Sequence, residues 1–218
     1  GAYTAGFGDL NALIDFASKR PAEAPVAVYM IYNTPPFTIA VKKDGPIKSP
    51  KDFEGKTVGG PANDGALKLF PAFAKTAKFD AAKVNITNMA PNLREQMLKT
   101  GQVDGIFGYI NTIWFSAKLV GLDPEKDLRF INYGSHGMDL YSNAILFSRS
   151  FVKENPKAVQ GFVKAVNRAI ADVLANNEMG MDAVMKREPL LKRDVEKERL
   201  LATVKEEMNH PEIAKIGL

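Results

Sequence analysis

Short apolar segments of strand length alternate with longer amphipathic ones along most of this chain, and that alternation constrains the fold more than any other feature. Residues 26–31 and 37–42 read as strands, separated by the turn formers Asn33, Thr34, Pro35 and Pro36. Residues 57–60, 84–89, 103–109, 128–133 and 141–148 read as further strands. A helix opens after Gly60 with Leu67, Phe70, Phe73 and Ala74 on one face, and Pro71 predicts a kink or a break in it. A second helix over 92–100 is closed by Gly101 as a left-handed cap. Asn111 is expected to cap a third, which carries Ile113, Trp114 and Ala117 and ends at Gly121. From Asn155 and Pro156 onward the pattern is helical, with Val159, Phe162, Val163, Val166, Ile170, Val173 and Leu174 on one stripe. A charged amphipathic stretch over 181–208 follows, interrupted by Pro189. The whole pattern predicts an α/β protein.

Lysine and arginine number 29 against 25 acids, a net charge of +4. The densest basic group, Lys42, Lys43, Lys48 and Lys51, has no interleaved aromatics, so it reads as a solvated surface and not as a nucleic-acid face. A mild positive excess would help gather anionic solutes. The 218 residues, 45% of them hydrophobic, suffice for one large domain or two lobes. The longest apolar runs, 25–30 and 145–147, are too short to cross a bilayer. The chain has no cysteine, which excludes disulfides and thiolate chemistry. It opens at Gly1 with no basic-then-apolar leader, so a removed leader or a fragment is expected.

Catalysis needs a positioned nucleophile, base or metal. Only two histidines are present, His136 and His210. His136 has Asp139 three residues on, a pairing that a ligand-contacting loop explains as well as a metal does. His210, beside Pro211, reads as an exposed terminal residue. No nucleophile elbow, phosphate-binding loop or dinucleotide fingerprint occurs. The sequence therefore predicts binding chemistry, with no catalytic residue, metal or cofactor.

The most informative segment is 59–66, where a strand ends in glycines and opens directly into a helix. Its free amides, with the helix dipole behind them, suit an anion or a polar ligand atom. Equally, Asn63 or Asp64 caps the helix, and an Asp64 carboxylate would compete with a bound anion. Residues 6–11 look like another strand turning into a helix, with Asp9 or Asn11 as cap. Tyr32, Asn33 and Thr34 follow one strand, and Tyr109, Ile110 and Asn111 another, at the carboxyl ends where open α/β sheets bind ligands. Trp114 reads as core, or as a stacking platform.

Residues 6–11 (Gly6, Phe7, Gly8, Asp9, Leu10, Asn11), 49–58, 99–109 and 138–144, with the long helix over 151–176, resemble in order and spacing a known family. They look like the substrate-binding proteins of ABC importers for nitrate, sulfonates, taurine and pyrimidine thiamine precursors. The resemblance implies a type II periplasmic-binding-protein fold, in which two α/β lobes joined by two crossing segments close over a solute. The crossings would be 43–49 and 134–141. Residues 1–43 and 140–218 would form the first lobe and 44–139 the second. Relatives begin with a strand, a helix and a strand before the segment matching 6–11, so an incomplete first lobe is expected here. Its open sheet edge would invite an unusual homo-oligomer.

Carried onto matching positions, the family's pocket would take Asp9, Asn11, Tyr32, Asn33 and Thr34 from the first lobe. From the second it would take Asn63, Asp64, Gly65 and Ala66, flanked by Tyr109 and Trp114. His136, Asp139 and Tyr141 would close it. The resemblance implies no cofactor, a membrane permease as partner and a periplasmic location. Asp9, Asp64 and Asp139 would repel a bare anion and accept hydrogen bonds from an amino group, which favours an amino-pyrimidine or similar solute over a sulfonate. The alternative is a pyrimidine-precursor synthase on the same fold, which uses a cysteine-rich iron-binding segment that this chain does not have. A regulator's ligand-sensing domain would normally follow a helix-turn-helix, and no basic recognition helix is present.

Overall fold

In the computed structural model, which describes residues 3–208, the chain divides into two units, Gly1–Thr34 with Tyr141–Leu218, and Pro35–Leu140. In chain order the first elements are β1 (Ala5–Asp9), α1 (Leu10–Lys19), β2 (Val26–Met30), β3 (Phe37–Lys42), β4 (Thr57–Gly60), α2 (Gly65–Ala77) and β5 (Asn85–Asn88). There follow α3 (Arg94–Thr100), β6 (Gly105–Tyr109), α4 (Ile110–Leu119), β7 (Leu128–Asn132) and β8 (Asn143–Phe147). The chain then becomes helical: α5 (Arg149–Glu154), α6 (Pro156–Ala175), α7 (Asn177–Arg187) and α8 (Arg193–Glu207). None of these helices is long and apolar enough to cross a membrane.

The unit Pro35–Leu140 holds a five-stranded sheet in the order β5-β4-β6-β3-β7. β4 runs parallel to β5 and β6, and β3 runs antiparallel to β6 and β7. β3 is buried on both faces because both are covered. Phe37, Ile39 and Val41 join a core with Phe70 and Phe73 of α2, and Ala40 joins a second core with Leu98 of α3 and Ile113 of α4. This placement corrects the first expected boundary. Residues 35–43 belong to this unit and not to the first lobe, because β3 pairs with β6 and β7. Residues 43–49 do not form a crossing: Lys43 donates its amide to Asp127 O, and Ile47 is fully buried. The chain passes between the units at Thr34–Pro35 and at Leu140–Tyr141.

α2 runs unbroken through Pro71, so of the expected kink or break the break does not occur. Burying Phe70 and Phe73 on either side of the proline contributes ~1.5–3 kcal/mol each, which offsets the ~3 kcal/mol cost of an internal proline. Gly101 closes α3 at φ 77° as expected, and Gly121 takes φ 73° just beyond α4. Asn111 does not cap α4. The helix starts earlier, after Tyr109, because the Ile110 amide donates to Pro36 O and fixes the turn there.

The other unit has a three-stranded sheet, β1-β8-β2, with β8 antiparallel to both neighbours. Asp9 caps α1, its Oδ1 accepting the Ala12 amide at 2.8 Å. The helix expected over 151–176 divides at Asn155 into α5 and α6. Phe162 of α6 meets Phe147 of β8 edge-on at 5.3 Å, and Tyr29 of β2 donates to Asn167 Oδ1 at 2.6 Å. α7 and α8 are tied where Arg193 reaches Glu178 and Asp182, both at 2.7 Å. His210 lies outside the described residues.

Candidate ligand-binding site

Each unit gathers polar groups at the carboxyl ends of its strands. In the first, Asp9 ends β1 and Asn11 lies in the first turn of α1. Asn11 Nδ2 donates to Asp9 Oδ2 at 3.3 Å and to the Tyr141 carbonyl at 2.9 Å. Ser142, fully buried, donates its hydroxyl to Asn143 Oδ1 at 2.8 Å and sits 3.3 Å from Asp9 Oδ2. The Ser142 amide donates to Tyr32 O at 3.0 Å, and the Tyr32 amide to Asn143 O at 2.9 Å. The Tyr32 ring stands edge-on to Phe7 at 5.4 Å. Asp9, Asn11, Tyr32 and Tyr141 are thus neighbours. Asn33 and Thr34 donate their amides to the Glu207 carbonyl at 2.9 and 3.1 Å, which fastens the end of α8 to this corner. The Glu207 side chain is fully buried and neither of its oxygens has a hydrogen-bond partner among the described residues. Burial pushes its carboxyl up to about 7. Tyr32 is also raised, first by burial and then by the nearby Glu207 charge.

In the unit Pro35–Leu140 the 59–66 segment resolves in favour of capping. Asp64 Oδ1 accepts the Ala66 amide at 2.8 Å and the Leu67 amide at 3.3 Å. Gly65 is required by close approach: a Cβ there would lie 3.0 Å from the Phe37 ring and 3.3 Å from the Tyr109 hydroxyl. Tyr109, edge-on to Phe37 at 5.4 Å, therefore lies against the start of α2. Asn63 is exposed just before it. Tyr133 donates its hydroxyl to Ala66 O at 2.8 Å and stacks on Phe73 at 4.0 Å. Burial pushes the Tyr133 hydroxyl well above its usual range, and the Asp64 charge adds to that.

Arg94, the first residue of α3, reaches beneath this corner. Its Nη1 lies 3.1 Å from Phe107 O and 3.5 Å from Asp64 Oδ2, and its Nη2 lies 3.5 Å from Glu95 Oε1. All three charged side chains are at most 10% exposed. Burial raises both carboxyls. The Leu67 amide, Arg94 and the Ala66 amide oppose the rise at Asp64, and Arg94 and the Glu95 backbone oppose it at Glu95.

Two expected contributors, Trp114 and His136, lie away from the start of α2. Trp114 stacks on Phe130 at 5.7 Å, on the side of the sheet that α3 and α4 cover. His136 Nδ1 is 2.9 Å from Asn132 O and its ring meets Phe73, more than two turns along α2 from Asp64, or roughly 13 Å at 1.5 Å per residue. Asp139 is exposed beside the buried Met138. Sequence reasoning missed Arg94, Tyr133, Ser142 and Glu207. Ser142 falls inside the 138–144 segment that carries the resemblance, and so had a signal. Among the described residues no three potential metal ligands cluster.

A family model described as NMT1/THI5 like matches residues 9–179. Among solved structures, the periplasmic aliphatic sulphonate binding protein SsuA from Escherichia coli is similar, with TM-score 0.73 and 21% identity over 92% of this chain. The alkanesulfonate-binding protein SsuA from Xanthomonas axonopodis pv. citri, bound to MOPS, has TM-score 0.65 and 20% identity over 93% of this chain. A ligand-binding component of an ABC-type import system from Staphylococcus aureus, with zinc bound, has TM-score 0.63 and 14% identity over 91%. The chain spans 66%, 66% and 65% of those three proteins. The likeness shows that this is the fold of the periplasmic binding proteins. Comparison with curated protein sequences finds no match.

Proposed function

The chain belongs to the NMT1/THI5-like family, and on that premise we propose that it is an extracytoplasmic solute-binding protein serving the permease of an ABC importer. It would capture a small polar or aromatic solute without transforming it. The observation that carries this reading is the gathering of polar side chains at strand ends beside the two passages of the chain. Asp9 and Asn11 do so in one unit, beside the Tyr141 carbonyl, and Asn63, Asp64 and Tyr109 in the other. Each of the two sets can hold and orient the polar groups of a solute. Neither set includes a nucleophile–base pair, and the thiolates on which the synthase alternative depends have no counterpart in a chain without cysteine. Oligomerisation belongs to the same proposal. β1 pairs with β8 alone among the described strands, an edge that a second copy would fit.

The test is a thermal-shift panel of amino-pyrimidines, alkanesulfonates and nitrate. One class should raise the midpoint. Asn63→Trp and Tyr109→Ala should each abolish the rise, and His136→Ala should leave it intact. No shift with any class, or a shift indifferent to Asn63 and Tyr109, contradicts the reading. Light scattering that finds a monomer removes the oligomer alone.

A further inference from the structure

The amino end of α2 and the buried Arg94 have the makings of an oxyanion receptor, and the chain fills it with a carboxylate of its own. α2 is a thirteen-residue helix, so its first amides lack intrahelical partners and carry the positive end of the dipole. Two of those amides, from Ala66 and Leu67, close on Asp64 Oδ1. The other oxygen, Oδ2, lies 3.5 Å from Arg94 Nη1. The Arg94 side chain is only 7% exposed, and its Nε has no partner among the described residues. A guanidinium fork that is buried, directed at the helix end and incompletely bonded is what recognises sulfonate, sulfate or phosphate. Here the place is taken.

We infer that Asp64 is the specificity-determining residue of this corner: it stands in the receptor as a built-in anion, and so turns the site against sulfonates and other oxyanions and towards solutes that donate hydrogen bonds. The inference rests on the solute-binding reading and narrows its substrate class. Charge makes the same point. With Asp64 and Glu95 ionised around one Arg94, the cluster already carries a net negative charge, and an oxyanion would add to it. With Asp64 removed, Glu95 still balances Arg94. The α2 amides are then free, and the corner becomes attractive to an oxyanion.

The experiment uses the whole chain at pH 7.5 and two probes, methanesulfonate and sulfate, followed by calorimetric titration and thermal shift. The proteins are wild type, Asp64→Gly, Asp64→Asn and the double variant Asp64→Gly with Arg94→Met. Asp64→Gly should bind both probes at least tenfold more tightly than wild type. Asp64→Asn, which keeps a capping side chain without the charge, should gain less. The double variant should lose the gain. Should Asp64→Gly fail to fold, Asp64→Asn decides alone. The inference is overturned if wild type binds either probe as tightly as the Asp64 variants do, or if the folded variants gain nothing. These outcomes separate from those of the solute-binding reading. A wild-type protein that captures a sulfonate sinks the inference and leaves solute capture standing, and one that never holds a solute leaves the oxyanion gain measurable.

Discussion

The Arg94 guanidinium donates to the Phe107 carbonyl at 3.1 Å, beyond the last residue pair that β4 makes with β6, Gly59 with Ile106. It thereby supplies a donor to β6 where pairing with β4 has stopped. The same side chain reaches Asp64 in the β4–α2 turn and Glu95 beside it, so one residue ties together the segments that present Asn63, Asp64 and Tyr109.

Arg94→Met should therefore be expensive, because it leaves two buried acids with no cation. Removing one partner of a buried ion pair costs ~3–5 kcal/mol. A lower urea midpoint with an unchanged slope would show it. The loss should shrink as the pH falls and the two carboxyls protonate.

Gly108→Ala tests the same arrangement by crowding. A Cβ at Gly108 would lie 2.6 Å from Arg94 Nη1 and 2.9 Å from Ile113 Cδ1. Overpacking of this kind costs ~1–3 kcal/mol. Thermal unfolding should record that loss, whereas Gly161→Ala, which meets nothing within 4 Å, should not be crowded at all.

Tyr133→Phe removes the hydroxyl bond to Ala66 O and keeps the stacking on Phe73. A net loss of about 1 kcal/mol is expected in chemical denaturation. A loss of several kcal/mol would mean that the hydroxyl organises the start of α2 and does more than bond to it.

The strands were legible in the sequence because short β-branched and apolar runs such as 37–42 follow turn formers such as Asn33 to Pro36. Which unit a strand joins was not legible. β3 follows β2 after only six residues, yet it pairs with β6 and β7, whose positions are fixed by contacts far along the chain. Local chemistry left two readings of Asp64, and the amide distances select the cap. Arg94 reads in sequence as one more polar residue at a helix start. Glu207 reads as one acid among many in a charged helix, and its burial comes wholly from where α8 ends. His136 was placed by the resemblance, and its ring meets Phe73 of α2.

Glu207 should give the protein a pH-dependent stability. Its carboxyl rises from an ordinary 4.5 to about 7. Below the lower value the folded and unfolded chains are both protonated. Between the two values the unfolded chain has released its proton and the folded chain has not, so stability falls as pH rises through this window. The loss levels off above pH 7 at roughly 3 kcal/mol. Glu207→Gln should flatten the slope and be the more stable protein at pH 8, as melting curves across pH 4 to 8 would show.

Native mass spectrometry of the purified chain, followed by denaturation and identification of what is released, tests solute capture most directly. The account predicts one small molecule per chain, rich in hydrogen-bond donors and recovered unchanged after incubation with the protein. A chain that stays empty, gains nothing from the solute panel, or returns a solute as a different compound would contradict it.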